Sequence, residues 1–172
     1  MSNKYYISLV LAVFILILSS TTVQAQDTTT TFQEKSRPIQ IALFAPIQIL
    51  PETDFIEGFR FNLIYGRNTS ITGFDIGFIN HLTKGLSQGV QVGFVNMIEG
   101  DFTGWQSGFV NLTKYNFEGL QSGLFNYAKK MRGVQFGLVN YVGNIHGLQI
   151  GLVNINEEGH DFPVFPIVHW SF

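Results

Sequence analysis

Arg60 and Asp75 are the two residues whose charges could do acid–base chemistry together. Asp75 replaces the glutamine of a repeated phrase and Arg60 falls on the same side of the neighbouring copy, so the two could form an ion pair in the lumen of a barrel if neighbouring strands bring them together. A charge in a low-dielectric interior is costly unless an opposite charge matches it, and a structural pair is therefore the expected role. Where strands bring Arg60 and Asp75 together, we expect a structural ion pair in the lumen and no catalysis.

The histidines and the remaining carboxylates give no catalytic or metal-binding pattern. Histidine occurs four times, and at no repeated spacing from another ligand: His81, His146, His160 and His169. Glu157, Glu158, His160 and Asp161 form one local cluster, but a glycine-containing loop does not promise the fixed geometry that a divalent cation needs. The sequence also lacks a Gly-x-Ser-x-Gly elbow and a phosphate-binding loop. We expect no enzyme activity, no cofactor and no metal.

A short repeated phrase must position these residues. Gly-x-Gln-x-Gly-(Phe/Leu)-(Val/Phe)-Asn occurs five times between Gly89 and Asn154, and a sixth copy, Gly73 to Asn80, carries Asp75 in place of the glutamine. A degenerate seventh copy begins at Gly58. The six clear copies start 16, 15, 15, 14 and 14 residues apart. A unit this short cannot bury its own apolar face, so the copies must assemble into one structure.

Two amide side chains recur at matched positions in these copies. The glutamine row is Gln91, Gln106, Gln121, Gln135 and Gln149, and the asparagine row is Asn80, Asn96, Asn111, Asn126, Asn140 and Asn154. Buried amides are nearly always hydrogen-bonded, and a small barrel is filled by its own side chains. We expect the glutamines to bond to one another in the interior and the asparagines to bond to turns at the strand ends.

Alternation with a period of two residues within each copy predicts strands rather than helices. The copy that begins at Gly104 divides into a bulky side and a glycine/glutamine side: Trp105, Ser107, Phe109 and Asn111 against Gly104, Gln106, Gly108 and Val110. The gaps between copies, such as 83–85, 99–101 and 114–116, combine charged residues with Gly or Asn. That composition is typical of turns.

The predicted fold is all-β: an antiparallel meander of strands about ten residues long, closed into a small barrel of the outer-membrane type. Its lipid side would carry Val, Phe, Leu and Trp, and its lumen Gly and Gln. The last strand ends with Val168, Trp170 and Phe172 on one side. This alternating aromatic ending resembles the C-terminal signal by which outer-membrane barrels are recognised for insertion.

Two other architectures stay open. A parallel β-solenoid with coils of 14–16 residues would stack Gly on Gly, Gln on Gln and Asn on Asn, and it explains why every copy reads in the same sense. Against it, a coil of about 15 residues has a narrow interior at native packing density. Five aromatic residues are hard to fit there: Phe94, Phe102, Trp105, Phe109 and Phe117. The second alternative is an open sheet packed on a partner.

Composition and charge narrow the setting of the protein. Only 13% of the residues are charged while 15% are aromatic, and the net charge is −2, so the apolar surface needs lipid, a partner or a core, and nucleic acid is not an expected partner. The absence of cysteine excludes a disulfide scaffold and a thiolate metal site. Residues 1–25 are predicted as a signal peptide, residues 26–38 as a disordered polar leader and residues 39–172 as a single β-repeat domain.

The repeat series resembles a bacterial family of exported surface-repeat proteins. The resemblance covers roughly residues 39 to 172, and it rests on Phe59 to Asn68, on the Gly-x-Gln-x-Gly series and on the Pro163 to Phe172 ending. It implies a location at the bacterial outer membrane or cell surface, without an activity or catalytic residues. We therefore expect an exported, non-enzymatic repeat protein with a structural or interaction role and with outer-membrane lipid as its partner. The alternative function is a small pore or a ligand-binding barrel.

Overall fold

The computed structural model describes residues 36–158 and 163–172, which are all-β. The strands are β1 (Ser36–Phe44), β2 (Ile47–Gln48), β3 (Phe55–Asn68), β4 (Ser70–Leu82), β5 (Leu86–Ile98), β6 (Asp101–Ser122), β7 (Phe125–Phe136), β8 (Val139–Asn156) and β9 (Val164–Ser171). The predicted signal peptide and most of the predicted leader lie outside the described residues. Strand β1 begins at Ser36, slightly before the predicted start of the domain at residue 39.

The chain forms a parallel β-solenoid of about eight turns, and the predicted antiparallel barrel is wrong. Strands β1 and β3 to β8 pair in parallel, with Gly89 beside Gly104 and Gly133 beside Gly147. Antiparallel pairing occurs only at the two ends of the described sheet, where β2 joins β1 and β9 joins β8. The coils of 14–16 residues offered as the alternative are the ones observed. The pore hypothesis depended on a barrel, so it loses its structural basis.

Few side chains of each coil point inward. In β5 only Ser87, Gln91, Asn96 and Ile98 are buried. Gly89 and Gly93, on the same side as Gln91, add no side chain to the interior. The interior can be narrow because it holds so little.

The large aromatic residues are divided between the interior and the outside. Phe102 and Phe117 are buried, whereas Phe94, Trp105 and Phe109 are exposed. The volume argument against a solenoid assumed that all five had to be packed inside. It failed because apolar character did not decide which way these side chains point.

A corner in each coil changes the alternation of side chains. Phe94 and Val95 are not buried, and the next residue, Asn96, points inward like Gln91. Strict alternation had placed the asparagine of each copy with the bulky apolar residues. That grouping is wrong because two successive outward residues at the corner shift the inward set by one position.

The repeated glycines permit this close stacking. Gly104 has a φ of 137°, and a Cβ built there would lie 2.0 Å from the carbonyl oxygen of Gly89 in the preceding coil. A Cβ at Gly108 would lie 2.4 Å from the Gly93 oxygen and 2.6 Å from Nδ2 of Asn96. The first glycine of the phrase therefore meets the neighbouring backbone, and the second leaves room for the amide of the asparagine row.

A narrow apolar core runs along the stack beside the amides. Its residues come from the segments on either side of the turns between coils: Ile56, Ile71, Leu82, Ile98, Phe102, Phe117, Ala128, Met131, Val142 and Ile145. The solenoid interior thus combines an apolar column with rows of buried amides.

Candidate functional site

The glutamine row forms a continuous chain of hydrogen bonds inside the solenoid. Each Nε2 donates to Oε1 of the glutamine in the preceding coil, at 2.7–2.9 Å. Gln91 donates to Oδ2 of Asp75 at 2.7 Å. Because a carboxylate only accepts, it fixes the direction of every amide in the row. At the other end, Nδ1 of His169 lies 3.0 Å from Oε1 of Gln149, so the amide oxygen there also has a partner.

Arg60 and Asp75 occupy the same row and form a buried bidentate ion pair. Nε of Arg60 donates to Oδ1 of Asp75 at 2.7 Å, and Nη2 donates to Oδ2 at 2.6 Å. Nη1 donates to Oδ1 of Asn68 at 3.2 Å and to the carbonyl oxygen of His81 at 3.3 Å. Both charged side chains are out of reach of solvent. The pair completes the polar row and presents no group to a substrate.

The asparagine row forms a second chain, which runs in the opposite direction. Each Nδ2 donates to Oδ1 of the asparagine in the following coil at 2.8–2.9 Å. It also donates across the corner to a backbone carbonyl, as Asn96 does to Ser107 at 2.8 Å. The asparagines therefore lie in the interior instead of at strand-end turns, and the backbone bond explains why the corner recurs with the asparagine.

Asn62 is a member of the asparagine row that the repeat pattern did not reveal. Its Nδ2 donates to Oδ1 of Asn80 at 2.8 Å. Gly66 pairs with Asn80 in the sheet, and a Cβ at Gly66 would lie only 1.8 Å from Oδ1 of Asn62. The degenerate copy has thus exchanged the two residue types, with glycine at the asparagine position to make room.

The predicted acidic loop contains no complete ligand set in the described part of the chain. His160 and Asp161 lie outside the described residues. Glu157 accepts a hydrogen bond from the Tyr141 hydroxyl, which raises the pKa of Tyr141 to about 12, and Glu158 accepts one from Asn144 at 3.2 Å. Residues 36–158 and 163–172 hold no group of three or more metal-ligating side chains.

One titratable cluster on the outside was not found from the sequence. Nδ1 of His81 lies 2.8 Å from the Tyr65 hydroxyl, and its Nε2 lies 3.2 Å from Oε1 of Glu99, which also pairs with Lys114 at 3.0 Å. Burial lowers the pKa of His81 and raises that of Tyr65. Burial also acts to raise the pKa of Glu99, but Lys114 and His81 outweigh it and lower that pKa. A neutral histidine between these groups is a structural link between coils.

The largest feature of the outside is an apolar surface built from three rows, one residue of each per coil. The tryptophan row is Phe59, Phe74, Val90, Trp105, Leu120, Val134, Leu148 and Trp170. The middle row is Phe61, Ile76, Val92, Ser107, Ser122, Phe136, Ile150 and Val168. The corner row is Phe78, Phe94, Phe109, Leu124, Leu138 and Leu152. We call these rows together the outer apolar face. It contains no charged residue, and its only polar side chains are the two serines and the indole N–H groups.

The corner row is exposed along its whole length. Its members keep between 38% and 67% of their surface in contact with solvent. The ring of Phe94 stacks between Phe78, at 5.1 Å, and Phe109, at 4.8 Å. Soluble monomers rarely expose a contiguous apolar patch of more than a few hundred Å², so this face is the candidate functional site.

Comparison of the chain with protein-family models, with curated proteins and with solved structures gives no match. The resemblance to exported surface-repeat proteins therefore stays a prediction from the sequence motifs. None of the described residues belongs to a helix long and apolar enough to cross a membrane.

Proposed function

We propose that the protein is an exported, non-enzymatic repeat protein of a bacterial outer membrane or cell surface, and that it acts by binding through its outer apolar face. The single observation that carries this proposal is the exposure of that face along successive coils. Large exposed apolar patches mark protein–protein or membrane interaction sites. The role is therefore structural or adhesive, with no substrate to transform.

The arrangement of the polar residues supports the same role. The amides of the glutamine and asparagine rows and the Arg60–Asp75 pair are fully buried, and the amides of each row are hydrogen-bonded to one another. They act as the internal frame of the solenoid. Binding is left to the outside, where the apolar rows are.

Fractionation of cells that produce the full chain tests this function. The wild-type protein should sediment with the cell envelope. A variant with Phe78→Ser, Phe94→Ser and Phe109→Ser should move to the soluble fraction, because it loses three adjacent rings of the corner row. A matched variant with Gln88→Ala, Thr103→Ala and Glu118→Ala, all exposed on the polar side, should stay with the envelope. A soluble wild-type protein, or three indistinguishable distributions, would contradict the proposal.

A further inference from the structure

The outer apolar face is convex. The tryptophan and middle rows lie on the wall of the coil that carries the glutamines, and the corner row lies where that wall meets the one that carries the asparagines. Gln91 and Asn96 both point inward from these two walls, while Phe94 between them points away. The apolar surface therefore wraps around an edge of the solenoid.

The convex shape of the face argues against a flat protein partner and against a second copy of the chain. A second copy would bring another convex edge, and two convex edges bury little of each other. A fluid acyl phase can enclose both sides of an edge at once.

Amphipathic rings lie at both margins of the face. The two tryptophans of the chain, Trp105 and Trp170, are both in the tryptophan row. In the middle coils that row runs beside a row of exposed polar residues that includes Thr103, Glu118 and Arg132. On the far side of the corner is a half-buried row that precedes the polar segments between coils: His81, Met97, Leu112, Tyr127, Tyr141 and Ile155. Trp and Tyr prefer the boundary between water and acyl chains, whereas Phe and Leu prefer the interior.

The backbone of the middle coils also suits contact with hydrocarbon. Strands β4 to β8 are hydrogen-bonded to a neighbouring coil on each side. Unpaired N–H and C=O groups are the main barrier to placing strands against lipid. At the corner of these coils the peptide groups are bonded along the stack, and the side chains that point outward are apolar.

We propose that the outer apolar face is a lipid-binding wedge: the solenoid lies on one leaflet of a bilayer with its axis in the membrane plane and its corner row deepest in the acyl chains. This inference rests on the proposed function and adds the partner and the orientation. Insertion to about 5–10 Å is the depth expected for an interfacial element of this kind. The tryptophan row lies at the membrane–water interface on one side of the wedge, and the charged turns stay in the headgroup region or in water.

Depth-dependent fluorescence quenching tests the wedge on the full chain. The background is Trp105→Phe with Trp170→Phe, into which a single tryptophan is returned by Phe94→Trp at the corner or by Thr103→Trp on the polar side. Vesicles of phosphatidylethanolamine and phosphatidylglycerol carry bromine either near the headgroups or about halfway along the acyl chains. The Phe94→Trp variant should lose most emission to the deep bromines, and the Thr103→Trp variant should lose little to either. The wild-type protein, with its two native tryptophans, should be quenched best by shallow bromines.

Equal quenching of the Phe94→Trp and Thr103→Trp variants would overturn the wedge. So would absence of quenching together with a dimer in analytical ultracentrifugation, because the face would then be covered by a second copy. In either case envelope association that still depends on the corner row would leave the proposed function standing. Binding to the vesicles should also be unchanged by added salt, since no charge lies on the face; loss of binding in salt would assign it to the charged turns instead.

Discussion

Phe102 and Phe109 lie in the same strand, β6, and have opposite environments. Phe102 is 1% exposed and stacks on Phe117 in the core, whereas Phe109 is 49% exposed and stacks on Phe94 at the corner. Gln106, between the two phenylalanines, is completely buried. Polarity therefore does not determine which side chains point inward in this solenoid. The inward positions beside glycine select side chains that can bond along the stack, and the apolar residues displaced from them form a surface.

Alanine substitutions at the two phenylalanines should separate these environments most clearly. Phe102→Ala should lower the free energy of unfolding by about 3–5 kcal/mol, because it leaves a cavity in a tightly packed row. Phe109→Ala should cost about 1 kcal/mol or less, since only the stacking of exposed rings is lost. Chemical denaturation of both variants measures the difference. Equal costs would mean that the corner row is buried in the protein's own fold.

Arg60 and Asp75, at the charged end of the glutamine row, should tolerate replacement by neutral residues only when both are replaced together. Asp75→Ala leaves Arg60 buried without a counter-ion, which is expected to cost roughly 3–5 kcal/mol. The double variant Arg60→Gln with Asp75→Gln should recover most of that loss, because it extends the amide chain that already runs from Gln91 to Gln149. Denaturation midpoints would show the recovery. A double variant as unstable as Asp75→Ala would indicate that the ion pair does something that amides cannot.

Glycine substitutions should distinguish the stacked positions from the open turns. Gly104→Ala should cost about 2–3 kcal/mol, since its φ of 137° is strained for an L-residue and its Cβ would lie 2.0 Å from the Gly89 oxygen. Gly85 is the matched control, because it also has a positive φ, of 69°, but has nothing within 4 Å of a built Cβ. Gly85→Ala should cost about 1 kcal/mol. Similar thermal midpoints for the two variants would contradict close stacking at Gly104.

The smallest expected effect concerns His81, in the polar cluster beside the outer apolar face. Burial lowers its pKa in the folded state below the ordinary value near 6.5, so the unfolded chain binds more protons as the pH falls through about 6.5. Stability contributed by neutral His81 is therefore present above that pH and is lost on acidification toward the folded pKa. Denaturation at about pH 7.5 and about pH 5.5 should show this loss in the wild type and less of it in His81→Gln. An identical pH dependence in both proteins would exclude His81 as its source.

The sequence was sufficient to predict the strands, the repeat length and the inward direction of the glutamines, because these follow from the period of two residues and from the glycines at matched positions. It also placed Arg60 and Asp75 on the face that carries the glutamines, and the register of the parallel coils puts the two side by side. It was insufficient for the choice between barrel and solenoid. That choice depended on how many side chains of each coil point inward. The corner at Phe94 and Val95 sets that number, and a pattern with a strict period of two residues does not reveal it.

Other parts of the site depended on contacts between coils. Asn62 joins the asparagine row from a position where the other copies have glycine, and only the register of Gly66 against Asn80 reveals it. The Tyr65–His81–Glu99 cluster has the same origin, because each member comes from a different coil. The apolar rows themselves were visible in the sequence, but their exposure was attributed to the wall of a barrel.

The spacing of spin labels at Gln88 and Thr103 tests the parallel stacking of coils most directly. Both residues are exposed and lie side by side in β5 and β6, and the chain has no native cysteine, so Gln88→Cys and Thr103→Cys can carry nitroxides alone. Parallel coils place these positions about 4.8 Å apart, which predicts strong dipolar broadening of the spectrum. A control pair at Gln88 and Arg132, roughly 14 Å apart along the same row, should broaden far less. A spectrum for the first pair no broader than the sum of its single labels would contradict the solenoid, because an antiparallel meander separates those positions by about 25 Å or more.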